Sequence, residues 1–231
     1  MVTAEPIHMN TGAQLTMIID EKLLTLVQWL SPSYPIGSFA WSHGLESAIA
    51  DGWVKTPADL AEWLTDLVTH GALRSDAILV SLAYRCNYVE ALEALNAVAR
   101  AFAASKERIE EAALQGAAFA KLSRDVWGLD LPDLLLPLAV GSAAKKMRLE
   151  QGALISVYCH GVLSNLILAA QRLAPVGQSD GQRVLADMAA QCTILAGVAV
   201  DAELEDIYSN CFLSDIASMR HETLHTRLFR S

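Results

Sequence analysis

The sequence has 231 residues, of which 53% are apolar and 19% are charged, and its formal net charge is -9. A chain with this length and apolar content can bury a hydrophobic core, which excludes disorder as its overall state. The negative charge argues against general nucleic-acid binding, because that function needs a basic surface facing the phosphates.

The first 18 residues show no apolar periodicity. We expect residues 1–18 to form a flexible leader ahead of a single domain over residues 19–231. The start of the chain also lacks the charged beginning, the compact apolar run and the small-residue cleavage site of an export signal. The sequence therefore predicts a cytoplasmic protein.

Apolar residues at helical spacing predict about ten helices, and prolines and polar caps mark their limits. Asp20 begins the first helix, which must end at the 31–35 turn because two prolines there remove backbone donors. Thr56 caps another helix, with Pro57 in its first turn. The predicted helices are 20–30, 39–51, one beginning at 57, 75–85, 90–104, 106–127, one beginning near 137, 150–172, 182–200 and 214–224. Alternating strand patterns are scarce, so we predict an all-α, single-domain bundle of about ten helices.

The longest uncharged run, residues 151–171, is long enough to span a bilayer. It carries several polar side chains, among them Ser156, Tyr158, His160 and Asn165. Such a helix is better buried among other helices than in lipid, and we expect no membrane association.

Residues 221–225 read His-Glu-Thr-Leu-His, the H-E-x-x-H string of zinc peptidases. On a helix, histidines four residues apart share a face and can bind zinc, while Glu222 would act as the general base. No third ligand follows the string except Ser231, and three neighbouring arginines would repel a cation. We expect a polar segment without a metal, and a zinc peptidase using residues 221–225 is the alternative.

Two further observations argue against an enzyme. The G-x-S-x-G string at 177–181 would need a preceding strand to expose its serine, but the preceding segment is helical, so we expect a turn there. No lysine follows a glycine, which excludes the G-x-x-x-x-G-K-[ST] nucleotide loop. We therefore expect no catalytic residues, and any nucleotide triphosphate should be bound by a partner.

From residue 220 onward the sequence has three arginines, two histidines and one acid, in contrast to the acidic remainder. Arginine and aromatic side chains are common among the residues that dominate the binding energy of protein interfaces. A frayed, solvated tail explains the same composition equally well.

Three parts of the sequence resemble the UreF family of urease accessory proteins, in the order in which that family has them. They are LSPSYPIGSF and SHGLE within 30–46, YCHG and PVGQSDGQ within 158–182, and DIASMRHE and RLFRS within 215–231. Two positions depart from the family pattern. His225 stands where an aromatic residue is usual, and His43 stands where glutamine is usual, which puts the roles of both in doubt.

The resemblance implies an all-α protein that forms a homodimer and acts without catalysis. Members of the family bind the accessory protein UreD, called UreH in some organisms, and that complex recruits the GTPase UreG and acts on apo-urease. This chain would then bridge UreD and UreG and promote GTP-dependent nickel insertion. The partner complex would handle nickel and GTP, with no cofactor held tightly by this chain. A generic helical adaptor without a link to urease is a further alternative.

The residues that we expect to contact partners lie in two of the resembling segments. They are Tyr34, Pro35 and Gly37 in the proline turn, and Arg220, His221, Glu222, Arg227, Phe229 and Arg230 near the end of the sequence.

Overall fold

The computed structural model describes residues 21–231, and this part of the chain folds into ten α-helices and two short 3₁₀-helices. The α-helices are α1 (Glu21–Trp29), α2 (Leu45–Ala50), α3 (Pro57–Thr69), α4 (Ala72–Arg85), α5 (Val89–Ala101), α6 (Lys106–Trp127), α7 (Leu136–Lys146), α8 (Gln151–Leu173), α9 (Gln178–Val200) and α10 (Phe212–His221). The 3₁₀-helices are Ser38–Ala40 and Leu204–Asp206. Residues 21–231 contain no strand, which confirms the all-α prediction for this range. The predicted leader, 1–18, and the predicted cap Asp20 lie outside the described residues.

Local sequence explains where several helices begin. Helix α3 starts with a capping box in which the Thr56 side chain accepts from the Asp59 backbone N–H and the Asp59 carboxylate accepts from the Thr56 N–H. Helix α6 starts behind Ser105, whose hydroxyl accepts from the Arg108 N–H. The same helix ends at Gly128, which adopts the left-handed conformation that terminates helices.

The core forms where the long helices α8 and α9 pack against each other and α4 packs against α7. Trp29 of α1 closes one side of this core with edge-to-face contacts to Phe119 and Trp127. Two glycines allow the closest backbone approaches. A methyl group on Gly116 would lie 2.1 Å from the Leu134 carbonyl oxygen, and one on Gly141 would lie 2.3 Å from that of Val80.

Helices α8 and α9 are each long and apolar enough to cross a membrane. In the folded chain, half of the most apolar stretch of α8 is buried, and 39% of that of α9. Both helices take part in the central packing, which accounts for their apolar composition without a bilayer.

The predicted second helix, 39–51, is wrong in its extent. A 3₁₀ turn and the shorter helix α2 stand in its place, separated by His43 and Gly44, which both have positive φ angles. A side chain at Gly44 would meet the Ser218 backbone nitrogen at 2.6 Å, so the chain bends there to pack against α10. The last helix also ends earlier than predicted, at His221, where hydrogen bonds of a tighter turn replace those of the helix.

Candidate functional site

The last twelve residues, called the tail segment here (residues 220–231), fold back over the helical body. A turn closes α10, with the Thr223 N–H donating to the Arg220 carbonyl and the Leu224 N–H donating to the His221 carbonyl. The chain then runs beside the 3₁₀ turn, where the Arg230 N–H donates to the Ala40 carbonyl at 2.8 Å. The prediction of a frayed tail, one of the two sequence interpretations, is therefore wrong for this segment.

Glu46, at the start of α2, fixes the tail segment by accepting three hydrogen bonds. Its carboxylate accepts from the backbone N–H groups of Leu228 at 2.6 Å and Phe229 at 2.9 Å, and it lies 3.1 Å from Nε2 of His221. The Glu46 side chain is buried, so these bonds form away from water. A buried carboxylate needs such donors to remain charged.

His221 has no exposed surface and lies between two carboxylates. Its Nε2 faces Glu46, and its Nδ1 lies 2.7 Å from Oε2 of Glu107, at the start of α6. Both ring nitrogens of His221 are thus within hydrogen-bond distance of carboxylate oxygens from two different helices. His221 therefore links α10 to both α2 and α6.

The arginines of the tail segment pair with acids of the body while keeping much of their surface exposed. Arg227 pairs with Glu107, Arg230 with Glu110 at 2.8 Å, and Arg220 with Asp51. About half of the side-chain surface of Arg220 and Arg230 remains accessible, at 56% and 55%. These two guanidinium groups also face Trp53 and Trp41, respectively.

The predicted partner-contact residues thus divide into exposed and buried groups. Phe229 is buried, with the Arg172 guanidinium 4.6 Å from its ring centre, and Glu222 accepts from the Lys106 backbone N–H at 2.8 Å, at the start of α6. In the proline turn, Tyr34 is buried beside Phe119, and burial raises the pKa of its phenol to about 12. The surface is therefore supported from within by His221, Phe229 and Tyr34. Contact between the nine predicted residues and a partner stays a prediction.

The 3₁₀-helix that follows the proline turn lies against the tail segment. Arg172 connects them, because its guanidinium donates to the Phe39 carbonyl at 3.3 Å and faces the Phe229 ring. Gly37 has a φ angle of 77°, which lets the chain turn into the 3₁₀-helix that borders the tail segment.

A second charged cluster lies beneath the tail segment. Ser231 contacts Glu111 and receives a hydrogen bond from the Ser42 backbone N–H at 2.8 Å. Glu111 also pairs with Arg108 and lies 2.9 Å from Nε2 of His43. Burial alone would raise the pKa of Glu111, but Arg108 and His43 outweigh it and lower the pKa to about 2.

The cluster continues inward to Asp76, 3.8 Å from Arg108, and to the Tyr158 hydroxyl, which donates to Asp76 at 3.3 Å. Burial raises the pKa of both Asp76 and Tyr158. Cavities of about 60 and 70 Å³ lie beside this cluster. Because opposite charges face each other throughout, its evident effect is to hold α4, α6 and the turn before α2 together.

The zinc-peptidase alternative receives no support from the geometry. Helix α10 ends at His221, so residues 222–225 form a turn and the two histidines do not share a helical face. Both ring nitrogens of His221 are engaged by carboxylate oxygens of Glu107 and Glu46, which leaves neither nitrogen open to a metal ion. Across residues 21–231, no group of three His, Cys, Asp or Glu side chains is placed to hold a metal ion.

The G-x-S-x-G string begins helix α9, with Gly177 as its cap, where we had predicted a turn over 177–181. The segment before it is the end of helix α8, so the strand that a nucleophile elbow requires is replaced by a helix. The serine therefore lies in the first turn of a helix.

Sequence reasoning missed the acidic half of this site, namely Glu46, Glu107, Glu110 and Glu111. A signal for it existed, because three glutamates stand within residues 107–111 and Glu46 lies in one of the segments that resemble the family, while the tail segment carries the opposite charge. These acids meet the tail segment only in the folded chain, because Glu107 is 114 residues from His221 in the sequence and Glu46 is 183 residues from Phe229.

Comparison with known proteins gives one consistent result. The UreF family model matches residues 54–189. A urease accessory protein UreF from Ruegeria pomeroyi is 42% identical over 212 residues, which cover 92% of this chain and 98% of the relative. One from Roseobacter denitrificans is 42% identical over 91% of this chain, and one from Bradyrhizobium sp. is 39% identical over the full length of both chains.

Proposed function

This chain belongs to the UreF family of urease accessory proteins, and we propose that it bridges UreD (UreH) and the GTPase UreG during nickel insertion into apo-urease. In this role it acts by docking and performs no catalytic step itself. Nickel and GTP are handled by the partner complex, in the cytoplasm, and no cofactor is tightly bound to this chain.

The tail segment is the observation that carries this proposal. A docking surface needs anchors that hold one geometry before the partner arrives, because ordering them on binding costs free energy. Here the exposed faces of Arg220, Arg227 and Arg230 are held by acids of the body, and buried His221 and Phe229 fix the backbone between them. Arginine and aromatic groups held in this way are typical interface anchors.

The outer face of α10 extends this surface with apolar side chains. Phe212, Leu213, Ile216 and Met219 are exposed and follow one another at helical spacing. Arg220 directly follows this stripe. A partner that covers the tail segment would also remove this apolar surface from water.

We propose that the chain forms a homodimer, through a different apolar region. Helices α1 and α9 expose Leu24, Val27, Ile194 and Val198. The α1, α8 and α9 helices also border an open groove that includes Val27, Val157 and Ala189. Light scattering coupled to size exclusion should give twice the chain mass, and replacing Ile194 with Glu should give the mass of one chain. One mass for both proteins, whether single or double, would contradict this interface.

The function is tested in cells that carry the urease subunits and the other accessory proteins, with and without this chain. Without it, urease should be abundant but poor in nickel and inactive. Equal activity and nickel content in both strains would contradict the proposal. Neighbouring genes separate it from a generic helical adaptor, because the proposal predicts urease subunit genes nearby.

The docking surface is tested separately with Arg220→Ala and Arg230→Ala. Both arginines form exposed ion pairs, which contribute about 1 kcal/mol or less, so each variant should stay folded. We expect reduced capture of UreD by either variant at unchanged melting temperature. Arg183→Ala is the matched control, since Arg183 forms an exposed ion pair with Asp180 on α9. Equal capture by all three variants would exclude the tail segment as the docking surface.

A further inference from the structure

A second surface, which shares no residue with the tail segment, forms an open groove between the start of α5 and the end of α7. Its volume is about 640 Å³, within the usual range for ligand and peptide sites. We call it the lysine groove, after the two lysines that border it. The residues that line it include Tyr88, Val89, Leu131, Pro132, Lys145 and Lys146.

The lysine groove has a positive charge that the body does not neutralise. Lys145, Lys146 and Arg148 stand within four residues of one another, and none forms an ion pair with a carboxylate in residues 21–231. The nearest lining acid, Asp130, pairs instead with Arg124. In a chain with a net charge of -9, three neighbouring cations without acidic partners are a local exception.

Neutral acceptors hold the lysines in position. The Lys145 ammonium donates to the Cys86 carbonyl and to Oδ1 of Asn87, both at 2.6 Å, and the Lys146 ammonium donates to the Asp130 carbonyl at 2.8 Å. Carbonyl and amide oxygens orient an ammonium group without cancelling its charge. The groove therefore presents fixed positive charge to a ligand, and Lys146 is exposed enough to contact it.

The apolar part of the groove is also exposed. Tyr88 has 73% of its surface accessible and Val89 has 52%, although both side chains are large. Leu131 and Pro132 line the groove beside them. An exposed aromatic ring bordered by apolar side chains is typical of an interface hot spot rather than of a solvated helix face.

We propose that the lysine groove binds an acidic segment of a partner protein, with an apolar side chain seated against Tyr88 and carboxylates facing Lys146. Arg148, two residues further along the chain, adds to the local positive charge. Charge complementarity favours this occupant, because the lysines attract carboxylates electrostatically, whereas most of the surface of this acidic chain repels them. A nucleic acid would meet the repulsion of the net negative charge over its whole length. The site is independent of docking by the tail segment.

The test measures binding of a fluorescein-labelled peptide of eight alternating glutamate and leucine residues to the full chain, by fluorescence anisotropy. The key variant carries Lys146→Glu and Arg148→Glu, two exposed positions that leave the Lys145 contacts in place. The matched control carries Arg183→Glu and Lys55→Glu, which change the net charge equally at exposed positions elsewhere. A variant with Tyr88→Ala tests the apolar part. Circular dichroism and melting temperature check folding, and Lys146→Gln with Arg148→Gln replaces the key variant if it unfolds.

We expect the key variant to weaken peptide binding at least tenfold, Tyr88→Ala to weaken it severalfold, and the control to change it less than threefold. A peptide with glutamine in place of glutamate should bind at least tenfold more weakly to the unaltered chain. Absence of binding, an equal loss in the control, equal binding of the glutamine peptide, or full displacement by 10 mM inorganic phosphate would each overturn the proposal. The last outcome would assign the groove to small anions.

Discussion

Replacing Glu46 with Gln should release the tail segment while preserving the size of the side chain. Glu46 is 6% exposed and accepts from the backbone N–H groups of Leu228 and Phe229 and from His221. The amide of glutamine has one oxygen and one NH₂ group. The oxygen of glutamine can therefore accept hydrogen bonds at only one of the two positions that the carboxylate oxygens occupy. At the other position the NH₂ group faces a backbone N–H donor, which is left without an acceptor.

The cost follows from these contacts. One buried backbone donor left without an acceptor costs about 1–3 kcal/mol, and the loss of a hydrogen bond to a charged group costs about 1.5–3 kcal/mol. The sum, about 2.5–6 kcal/mol, brackets the usual cost of about 3–5 kcal/mol for removing one partner of a buried ion pair. Because each 1.4 kcal/mol changes an equilibrium tenfold, a cost of about 3–5 kcal/mol should make local opening of the tail segment roughly 100- to 4,000-fold more frequent.

Hydrogen exchange measures this opening directly at the amides of Leu228 and Phe229. Both should exchange about 100- to 4,000-fold faster in Glu46→Gln, while the amides of α8 keep most of their protection. Glu110→Gln is the control, because Glu110 forms an exposed pair with Arg230 and its loss should cost less than about 1 kcal/mol. Equal exchange at Leu228 in the two variants would refute the role assigned to Glu46.

Three further predictions concern packing, pH and thiol reactivity. Gly116→Ala should lower the melting temperature by about 6–12 °C, since its methyl group must displace the Leu134 carbonyl at a cost of about 3 kcal/mol, whereas Gly197→Ala, with nothing within 4 Å, should raise it slightly. As the pH falls from 4.5 towards 2, denaturant titration should show a loss of up to about 3 kcal/mol of stability that Glu111→Gln does not show, because the folded pKa of Glu111 is about 2. Iodoacetamide should modify Cys86 first in the native protein, because burial raises the pKa of all four thiols but only Cys86 is half-buried and open to the reagent, while the other three are buried.

The sign of the pH prediction depends on the direction of each shift. The lowered pKa of Glu111 gives stability that is complete above its unfolded value, near 4.5, and is lost as protonation proceeds below it. Asp76 acts oppositely, because burial raises its pKa, so its contribution is greatest at low pH and declines as the pH rises above 3.8. A steeper loss of stability with falling pH in Glu111→Gln than in the unaltered chain would contradict the assignment.

The other two predictions have their own refuting outcomes. Equal melting temperatures for the two glycine variants would contradict the packing prediction, and simultaneous labelling of all four thiols would contradict the prediction for Cys86.

Features that depend on neighbouring residues could be predicted from the sequence. The cap at Thr56, the proline turn and the end of α6 at Trp127 appear in the structure where the pattern places them. Each follows from contacts within a few residues, such as the hydrogen bonds between Thr56 and Asp59. The ends of α4 at Arg85 and α9 at Val200 were predictable for the same reason, since apolar periodicity is a local property, although both helices begin three or four residues earlier than predicted.

Features that depend on distant residues were not predictable in this way. The 39–51 segment reads as one helix, but Ser42 donates from its backbone to Ser231, 189 residues away, and Gly44 lies against α10. Tertiary contacts override helix propensity at these positions. The tail segment shows the same limit, since its charge indicated a role in contacts while the acids that bind it could be identified only from the fold.

The pairing within the tail segment constrains how a partner can use it. His221 and Arg227 share the carboxylate of Glu107, so a partner that pulled the segment away would leave the buried Glu46 and the partly buried Glu107 without these hydrogen-bond partners. Removing one member of a buried pair costs about 3–5 kcal/mol, which a partner would have to offset before gaining affinity. Binding over the segment as it lies avoids this cost and uses the exposed faces of Arg220 and Arg230. We therefore expect Glu46→Gln to weaken capture of UreD although Glu46 is buried, with the loss appearing as a slower association because the surface must first reform. If Glu46→Gln instead strengthened capture, the partner would bind the released form, and the tail segment would act as a cover over its own docking site.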